Sequence, residues 1–218
     1  MTKVIITDIY DFLLKGDAFT RRSLLTYLSG KTTLPEEQIV AVYAPHKERS
    51  YTDQGYNWND AIRDTFAEIG HEDICDDFLA YNLARNRETT ANDGITELLE
   101  KAKERNIPVF GVTDCCTPTE DVWDAFRSCG LDQYIAGIVS SKDVGYTKPS
   151  KEIFEHFLQT YGYSKEDVIF GAHDLDELQG ANKLGIETFA CYQDPNDDLS
   201  FLPEDHVLND IKSLLDLL

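Results

Sequence analysis

The chain has 218 residues, of which 42% are hydrophobic and 28% are charged, so it can bury one large core and a smaller second lobe. Its formal net charge of -20 repels nucleic-acid backbones and anionic membranes at long range. A small anionic substrate can still bind where a few local cations outweigh that field. The sequence contains no apolar run of about eighteen residues and no basic-then-apolar leader, so we expect a soluble, cytoplasmic protein with no membrane or nucleic-acid partner.

The five cysteines are an odd number and show no C-x-x-C spacing, which predicts neither a disulfide framework nor a zinc site. Cys115 and Cys116 are adjacent and follow a predicted strand. One of them could be a reactive thiol, but the commoner role of such cysteines is that of small buried hydrophobes.

The first element is a short apolar strand, Val4-Ile5-Ile6, which is followed by Asp8 and the polar turn Asp8-Ile9-Tyr10-Asp11. The carboxyl ends of parallel strands form the crevice where α/β proteins bind ligands. An aspartate there is a candidate nucleophile or metal ligand. The alternative is an Asx-turn or helix-capping role, which is frequent at this kind of junction.

Residues 17 to 88 follow with an almost entirely helical pattern. Thr33-Leu34-Pro35-Glu36 has the spacing of a capping box, and Gly30 and Gly70 stand where left-handed C-caps are expected. The predicted helices are Ala18 to Leu28, Glu36 to about Tyr43, Asn59 to Ile69, and Asp73 to about Leu83. This segment therefore predicts a helical insert after the first strand.

From Asn92 onward amphipathic helices alternate with apolar strands, a pattern that specifies a parallel sheet with helices on its faces. We therefore predict an α/β fold with a split core domain, residues 1–16 and 89–218, and an inserted α-helical cap domain, residues 17–88. The tail is expected to end in an apolar helix from Ile211 to Leu217. The helices predicted before this tail are 94–105, 118–129, 150–161 and 176–184. The strands that follow them are 107–112, 135–139, 168–170 and 188–191.

Polar side chains come from several different strands or loops at the same predicted edge of this sheet. Thr113 and Asp114 end one strand, and Lys148 precedes a helix. The acidic residues Asp174, Asp176 and Glu177 follow a later strand. Because parallel strands end at one edge, we expect these groups to converge on Asp8.

In these motifs the chain resembles members of the haloacid dehalogenase (HAD) superfamily that carry a helical, C1-type cap. The resemblance covers essentially the whole length and rests on the order and spacing of four segments: VIITDIYDFLL, PVFGVTD, VGYTKPSKEIFEHFL and VIFGAHDLDELQGANKLGIETFA. It implies a Rossmann-like three-layer sheet and an aspartyl nucleophile. In most members the reaction is phosphate-ester hydrolysis with Mg²⁺.

Carried over residue by residue, the resemblance makes Asp8 the nucleophile that forms a covalent intermediate. Thr113, with Asp114 beside it, would bind the transferring group. Lys148 would hold the nucleophile and offset the charge of the transition state.

Several positions depart from the phosphatase pattern, including Asp11 and Phe12, which stand where Gly-Thr is usual, and two of the departures bear directly on catalysis. Tyr10 stands where those enzymes carry a second, acid/base aspartate, and a phenol with a pKa near ~10 is a poor base at neutral pH. Ala172 replaces the usual direct Mg²⁺ ligand. The remaining oxygen donors proposed for a metal are those of Asp8, Tyr10 (its carbonyl), Glu177, Asp174 and Asp176. We therefore expect weak metal binding or none.

Three hypotheses follow. The leading one is a hydrolase that uses Asp8 on a small phosphomonoester, with Tyr10 and neighbouring groups in the catalytic site. The second is a metal-independent 2-haloacid dehalogenase, suggested by Tyr10, with Arg21-Arg22 as candidate anion ligands and His173 as a candidate water-activating group. The third is a catalytically impaired binding protein, in which Asp8→Asn would leave function intact.

Overall fold

A computed structural model describes residues 3–15, 21–85 and 89–216. Within these residues the central sheet has six strands in the spatial order β5-β4-β1-β6-β7-β8, and every neighbouring pair is parallel. These strands are β1 (Val4–Thr7), β4 (Val109–Thr113), β5 (Ile135–Ser140), β6 (Val168–Ala172), β7 (Glu187–Cys191) and β8 (Val207–Leu208). The first strand of the chain thus lies at the centre, between β4 and β6.

Helices cover both faces of this sheet, which confirms the predicted three-layer α/β fold. Successive β1 side chains alternate between two apolar clusters: Ile5 packs into one and Ile6 into the other. The first cluster includes side chains of α5 (Ile95–Glu104) and α6 (Thr119–Ser128), and the second includes those of α8 (Lys151–Tyr161) and α9 (Leu175–Leu184). A short helix, α7 (Ser141–Val144), follows β5 directly.

Four helices lie between the first and second parts of this core; we call them the cap helices. They are α1 (Arg21–Leu28), α2 (Glu36–Thr52), α3 (Trp58–Glu68) and α4 (Cys75–Arg85). They enclose an apolar cluster of their own, which includes Leu24, Ile39, Phe66 and Phe78. On either side of them in sequence, β2 (Leu14–Lys15) and β3 (Thr90–Ala91) pair antiparallel. The predicted domain boundaries fall at residues 16/17 and 88/89, within or beside ranges outside the described residues, and stay predictions.

Several local predictions were wrong. Pro35 is the N-cap residue of α2 and no side chain caps it, so the expected capping box at Thr33 does not form; a capping box instead joins Asn57 and Asp60 at the start of α3. Helix α2 continues well past Tyr43, through Pro45. The tail adds the sheet's sixth strand, which the sequence did not predict, and ends in a 3₁₀ helix, Ile211–Asp216, instead of an α-helix.

The left-handed glycines predicted after α1 and α3 are confirmed, since Gly30 and Gly70 have φ values of 75° and 74°. Over the part of the chain that the structure describes, no helix is long and apolar enough to cross a membrane.

Candidate active site

The loop after β1 carries Asp8 to the carboxyl edge of the sheet. The Asp8 N–H donates to the Gly171 carbonyl of β6 at 2.9 Å, which fixes where the strand ends. The loop then turns through Asp11, whose φ of 61° is left-handed, a conformation that aspartate tolerates better than most residues. Ile9 packs over Gly111 of β4 so closely that a Cβ there would lie 2.4 Å from the Ile9 Cδ1 atom. The absence of a side chain at Gly111 therefore lets Ile9 pack directly against β4.

A buried ion-pair array forms at Asp8. The Lys148 ammonium donates to Asp8 Oδ1 at 2.5 Å and lies 3.0 Å from Glu177 Oε2, an ion pair without hydrogen-bond geometry. The Lys148 side chain is completely buried and Asp8 is 6% exposed. Burial alone would lower the pKa of Lys148, but the neighbouring Asp8, Glu177 and Asp114 carboxyls raise it well above its ordinary value. Lys148 therefore stays charged and holds one oxygen of Asp8.

Two contacts position Lys148. Its backbone N–H donates to Asp114 Oδ1 at 3.0 Å, so the loop that carries Lys148 is tied to the residue after β4. The next residue, Pro149, lies against α9 at Gly180, where a Cβ would be 2.7 Å from the Pro149 carbonyl oxygen. Because α9 also carries Glu177, this close approach keeps the lysine and its second partner together.

Thr113 and Asp114 lie where the sequence predicted, at the end of β4. Thr113 is 1% exposed and pairs in register with Ser140 of β5. Burial raises the pKa of Asp114 to about 6, although the nearby Lys148 opposes the shift. Asp114 therefore titrates within the range in which enzymes are commonly assayed.

The acidic residues of the last motif divide into two kinds. Glu177 faces the array, and burial raises the pKa of its carboxyl while Lys148 opposes the shift. Asp174 is exposed and caps α9, accepting the Asp176 N–H at 3.2 Å. Asp176 is exposed as well. The structure therefore brings Glu177, and not Asp174 or Asp176, into contact with Lys148.

Tyr10 and His173 flank the nucleophile loop. Tyr10 packs against the first apolar cluster, and burial raises its pKa above that of a free phenol, so the ring stays neutral and is a poor base. His173 Nδ1 lies 3.8 Å from Asp8 Oδ2, and this nitrogen is buried with no hydrogen-bond partner among the described residues. The imidazole thus lies on the side of Asp8 that Lys148 leaves open.

The donors present do not fit a hard divalent cation such as Mg²⁺. Ala172 presents a methyl group, and the Lys148 ammonium already contacts one oxygen of Asp8 and one of Glu177. In the described ranges no group of three or more His, Cys, Asp or Glu side chains is arranged to hold a metal.

The cap helices meet the core at the loop after β4. Cys116 belongs to the cap's apolar cluster together with Tyr43 and Trp58, and both adjacent cysteines are buried. Burial raises the pKa of each thiol, which favours the predicted packing role over a reactive one. The Tyr56 hydroxyl donates to Asp64 Oδ2 at 2.7 Å.

One buried residue at this junction was missed by sequence reasoning. Lys142, on α7, donates to the carbonyl oxygens of Ser50, Asp53 and Tyr56 at 3.1, 2.5 and 2.7 Å, and is 5% exposed. Its partners lie far away in the sequence, so no local pattern could have indicated them. The side chains of Arg21 and Arg22, predicted as anion ligands, lie outside the described residues.

Comparison with known proteins yields both a phosphatase and dehalogenases. Glyceraldehyde 3-phosphate phosphatase from Methanocaldococcus jannaschii is 19% identical over 226 residues, covering 100% of this chain and 97% of the relative. (S)-2-haloacid dehalogenase 4A from Burkholderia cepacia is 26% identical over 133 residues, 61% of this chain and 57% of that protein. A solved structure described as a dehalogenase shares the fold with a TM-score of 0.73 at 20% identity, covering 100% of this chain and 97% of its own.

The family model for haloacid dehalogenase-like hydrolases matches residues 22–191. This span begins within α1 and ends with β7, and it therefore contains three of the four sequence segments that carried the resemblance. The chain belongs to the haloacid dehalogenase-like hydrolase family.

Proposed function

We propose that this protein is a metal-independent hydrolase in which Asp8 displaces a leaving group from carbon, and that its substrate is a small 2-halocarboxylate. The observation that carries the proposal is the array in which Lys148 bonds Asp8 Oδ1 and pairs with Glu177. Lys148 holds Asp8 Oδ1 and supplies a positive charge at the nucleophile without a metal. It also leaves Oδ2 as the oxygen free to attack.

The charges at the site favour a monoanionic substrate. Asp8, Asp114 and Glu177 place three carboxyl groups around the single ammonium of Lys148. A phosphomonoester dianion would meet this field without a metal to offset it. A halocarboxylate carries only one negative charge, and its reacting carbon is neutral.

The leaving group also matters. Tyr10 stands where phosphatases of the family use an aspartate to protonate the leaving oxygen, and its raised pKa makes it a weak acid. Halide departs without a proton. The site is thus better suited to breaking a carbon–halogen bond than an ester bond to phosphorus.

In the first step Asp8 Oδ2 attacks the carbon that bears the halogen, the carbon–halogen bond breaks with its electron pair, and an ester of Asp8 forms. Lys148 holds the other oxygen and orients the carboxylate for this attack. In the second step water attacks the carbonyl carbon of that ester. His173 Nδ1, 3.8 Å from Oδ2, accepts the water proton. The bond between the Asp8 carboxyl carbon and Oδ2 then breaks, His173 returns the proton to the departing alkoxide, and the 2-hydroxy acid leaves with that Asp8 oxygen while Asp8 keeps the water oxygen.

The test is halide release from each enantiomer of 2-chloropropionate, measured with EDTA and with Mg²⁺. We expect release in EDTA from the wild type and from Asp11→Asn, which changes an acid in the same loop at a left-handed position that asparagine accepts. Asp8→Asn should release none. No halide release from the wild type with either enantiomer would refute the proposal.

The phosphomonoesterase predicted from the sequence remains the second candidate. It is favoured by the full-length similarity to the archaeal phosphatase and by Asp114, whose pKa of about 6 would let it supply a proton. Phosphate release from p-nitrophenyl phosphate and a phosphometabolite panel, dependent on Asp8, would support it. Absence of both halide and phosphate release would favour a binding protein without turnover.

A further inference from the structure

One face of α2 is directed at the active-site edge of the core. Tyr43, Lys47 and Tyr51 are spaced four residues apart and therefore lie along one side of the helix. Tyr43 belongs to the cap's apolar cluster, and Tyr51 packs against it. That cluster contains Cys116, two residues beyond Asp114. The helix face thus lies over the loop that begins with Thr113 and Asp114.

Lys47, between the two tyrosines, is a half-buried cation with no carboxylate partner among the described residues. Its ammonium lies 5.2 Å from the centroid of the Tyr51 ring. Burial raises the pKa of Cys116, and the charge of Lys47 is close enough to oppose that rise.

The core holds this part of α2 in place. Lys142 donates to three carbonyl groups at and beyond the C-terminal end of α2, one of them that of Ser50. Gln54 Nε2 also donates to the Asp143 carbonyl at 3.1 Å. These contacts fix the helix end just after Tyr51, so Lys47 is one turn from an anchored point.

We infer that Lys47 is the cation that binds the carboxylate of the substrate while Asp8 attacks the neighbouring carbon. The inference deepens the proposed function and rests on it. Among the described residues, the ion pairs on the core side of the site contain one ammonium, that of Lys148, and two carboxyls already contact it. A carboxylate substrate needs a second cation, and the cap supplies Lys47 above the β4 loop.

Binding of 2-chloropropionate to Asp8→Asn, measured by calorimetry, tests this without turnover. In that background we expect Lys47→Met to weaken binding by about 10-fold or more, the usual effect of losing a charged hydrogen bond, and Lys47→Arg to restore most of it. Lys31→Met is the matched control, because Lys31 is an exposed cap lysine 3.7 Å from the Tyr27 ring centroid. It should bind as the parent does. Urea unfolding of each variant checks that the fold is kept.

Lys47→Met binding within 2-fold of the Lys31→Met control, or no measurable binding in the Asp8→Asn parent, would overturn the inference. Binding that depends on Lys47, together with no halide release by the wild type, would refute the proposed reaction and leave the binding role standing. Halide release by the wild type, with binding that does not change in Lys47→Met, would refute the binding role of Lys47 and leave the proposed reaction standing.

Discussion

Lys148→Met removes the cation from the centre of the buried array. It leaves Asp8 and Glu177 buried without their shared partner, since the Lys148 side chain is completely buried and the Glu177 side chain is 12% exposed. Breaking a buried pair in this way typically costs about 3–5 kcal/mol. We expect a loss of that size in the free energy of unfolding at pH 8, measured by urea titration with circular dichroism.

The loss should depend only weakly on pH. Burial raises the pKa of Glu177 and Lys148 opposes the rise, so removing the lysine raises that pKa further. A group whose pKa is higher in the folded state binds more protons there, and the stability it contributes is lost as pH rises. The pKa of Glu177 is already raised to about 8 with the lysine present, so this carboxyl is mostly protonated up to that pH. The deficit of Lys148→Met should therefore be only slightly smaller at pH 5 than at pH 8, by less than about 1 kcal/mol.

Lys151→Met provides the matched control, because Lys151 is exposed and its ion pair among the described residues is with Glu155, one turn along α8. Its cost should be about 0.5 kcal/mol or less at both pH values. Adding Glu177→Gln to Lys148→Met should restore part of the lost stability at pH 8. A Lys148→Met variant as stable as the Lys151→Met control at pH 8 would refute the reasoning.

Three further predictions concern the groups around this array. Burial raises the pKa of Asp114 to about 6, so the KM for an anionic substrate should rise between pH 5 and pH 8 as Asp114 ionises. Steady-state kinetics of Asp114→Asn provide the check, and the same rise of KM in this variant would assign the titration to another group. Lys142→Met leaves three carbonyl groups without their donor and should cost about 2–4 kcal/mol in urea unfolding, with Lys142→Arg less affected; a cost below about 0.5 kcal/mol would contradict the anchoring role. Gly180→Ala places a Cβ 2.6 Å from the Pro149 Cβ, so it should lower the free energy of unfolding by about 1–3 kcal/mol and reduce kcat. An unchanged melting temperature and an unchanged kcat would show that α9 moves away from Pro149 without cost.

Much of the fold could be predicted because its signals are local. Each central strand is a run of apolar residues, and each helix between them has one apolar face, so the alternation specified a parallel sheet. The missed sixth strand, Val207–Leu208, has two residues and offers no periodicity to detect. The missed extension of α2 passes through Pro45, a residue that normally ends a helical pattern.

The site was predictable to the extent that it depends on strand ends. Asp8, Lys148 and Glu177 were expected to converge, and the structure brings them into direct contact. Asp174 and Asp176 are also acidic residues near this edge of the sheet, yet they lie at the exposed start of α9, where Asp174 caps the helix. Sequence alone could not separate a helix cap from a ligand, since both require acids at a helix N-terminus.

The contacts between the cap helices and the core had no sequence signal. Lys142 reads as an ordinary surface lysine, and its acceptors are backbone carbonyls 86 to 92 residues away. Lys47 looks like one cation on a polar helix, and its placement over the β4 loop follows only from how α2 packs. Such roles depend on tertiary structure, which residue type and spacing do not encode.

The central claim is that Asp8 forms an ester that water then hydrolyses. The most direct measurement is a single turnover of 2-chloropropionate by excess enzyme in H₂¹⁸O, followed by mass spectrometry of the peptide that contains Asp8 and of the 2-hydroxy acid. Because water attacks the carbonyl carbon of the ester, we expect ¹⁸O in the Asp8 side chain and unlabelled oxygen in the product. Label in the hydroxy acid with none in Asp8 would mean that water attacks the substrate directly, and would contradict the account.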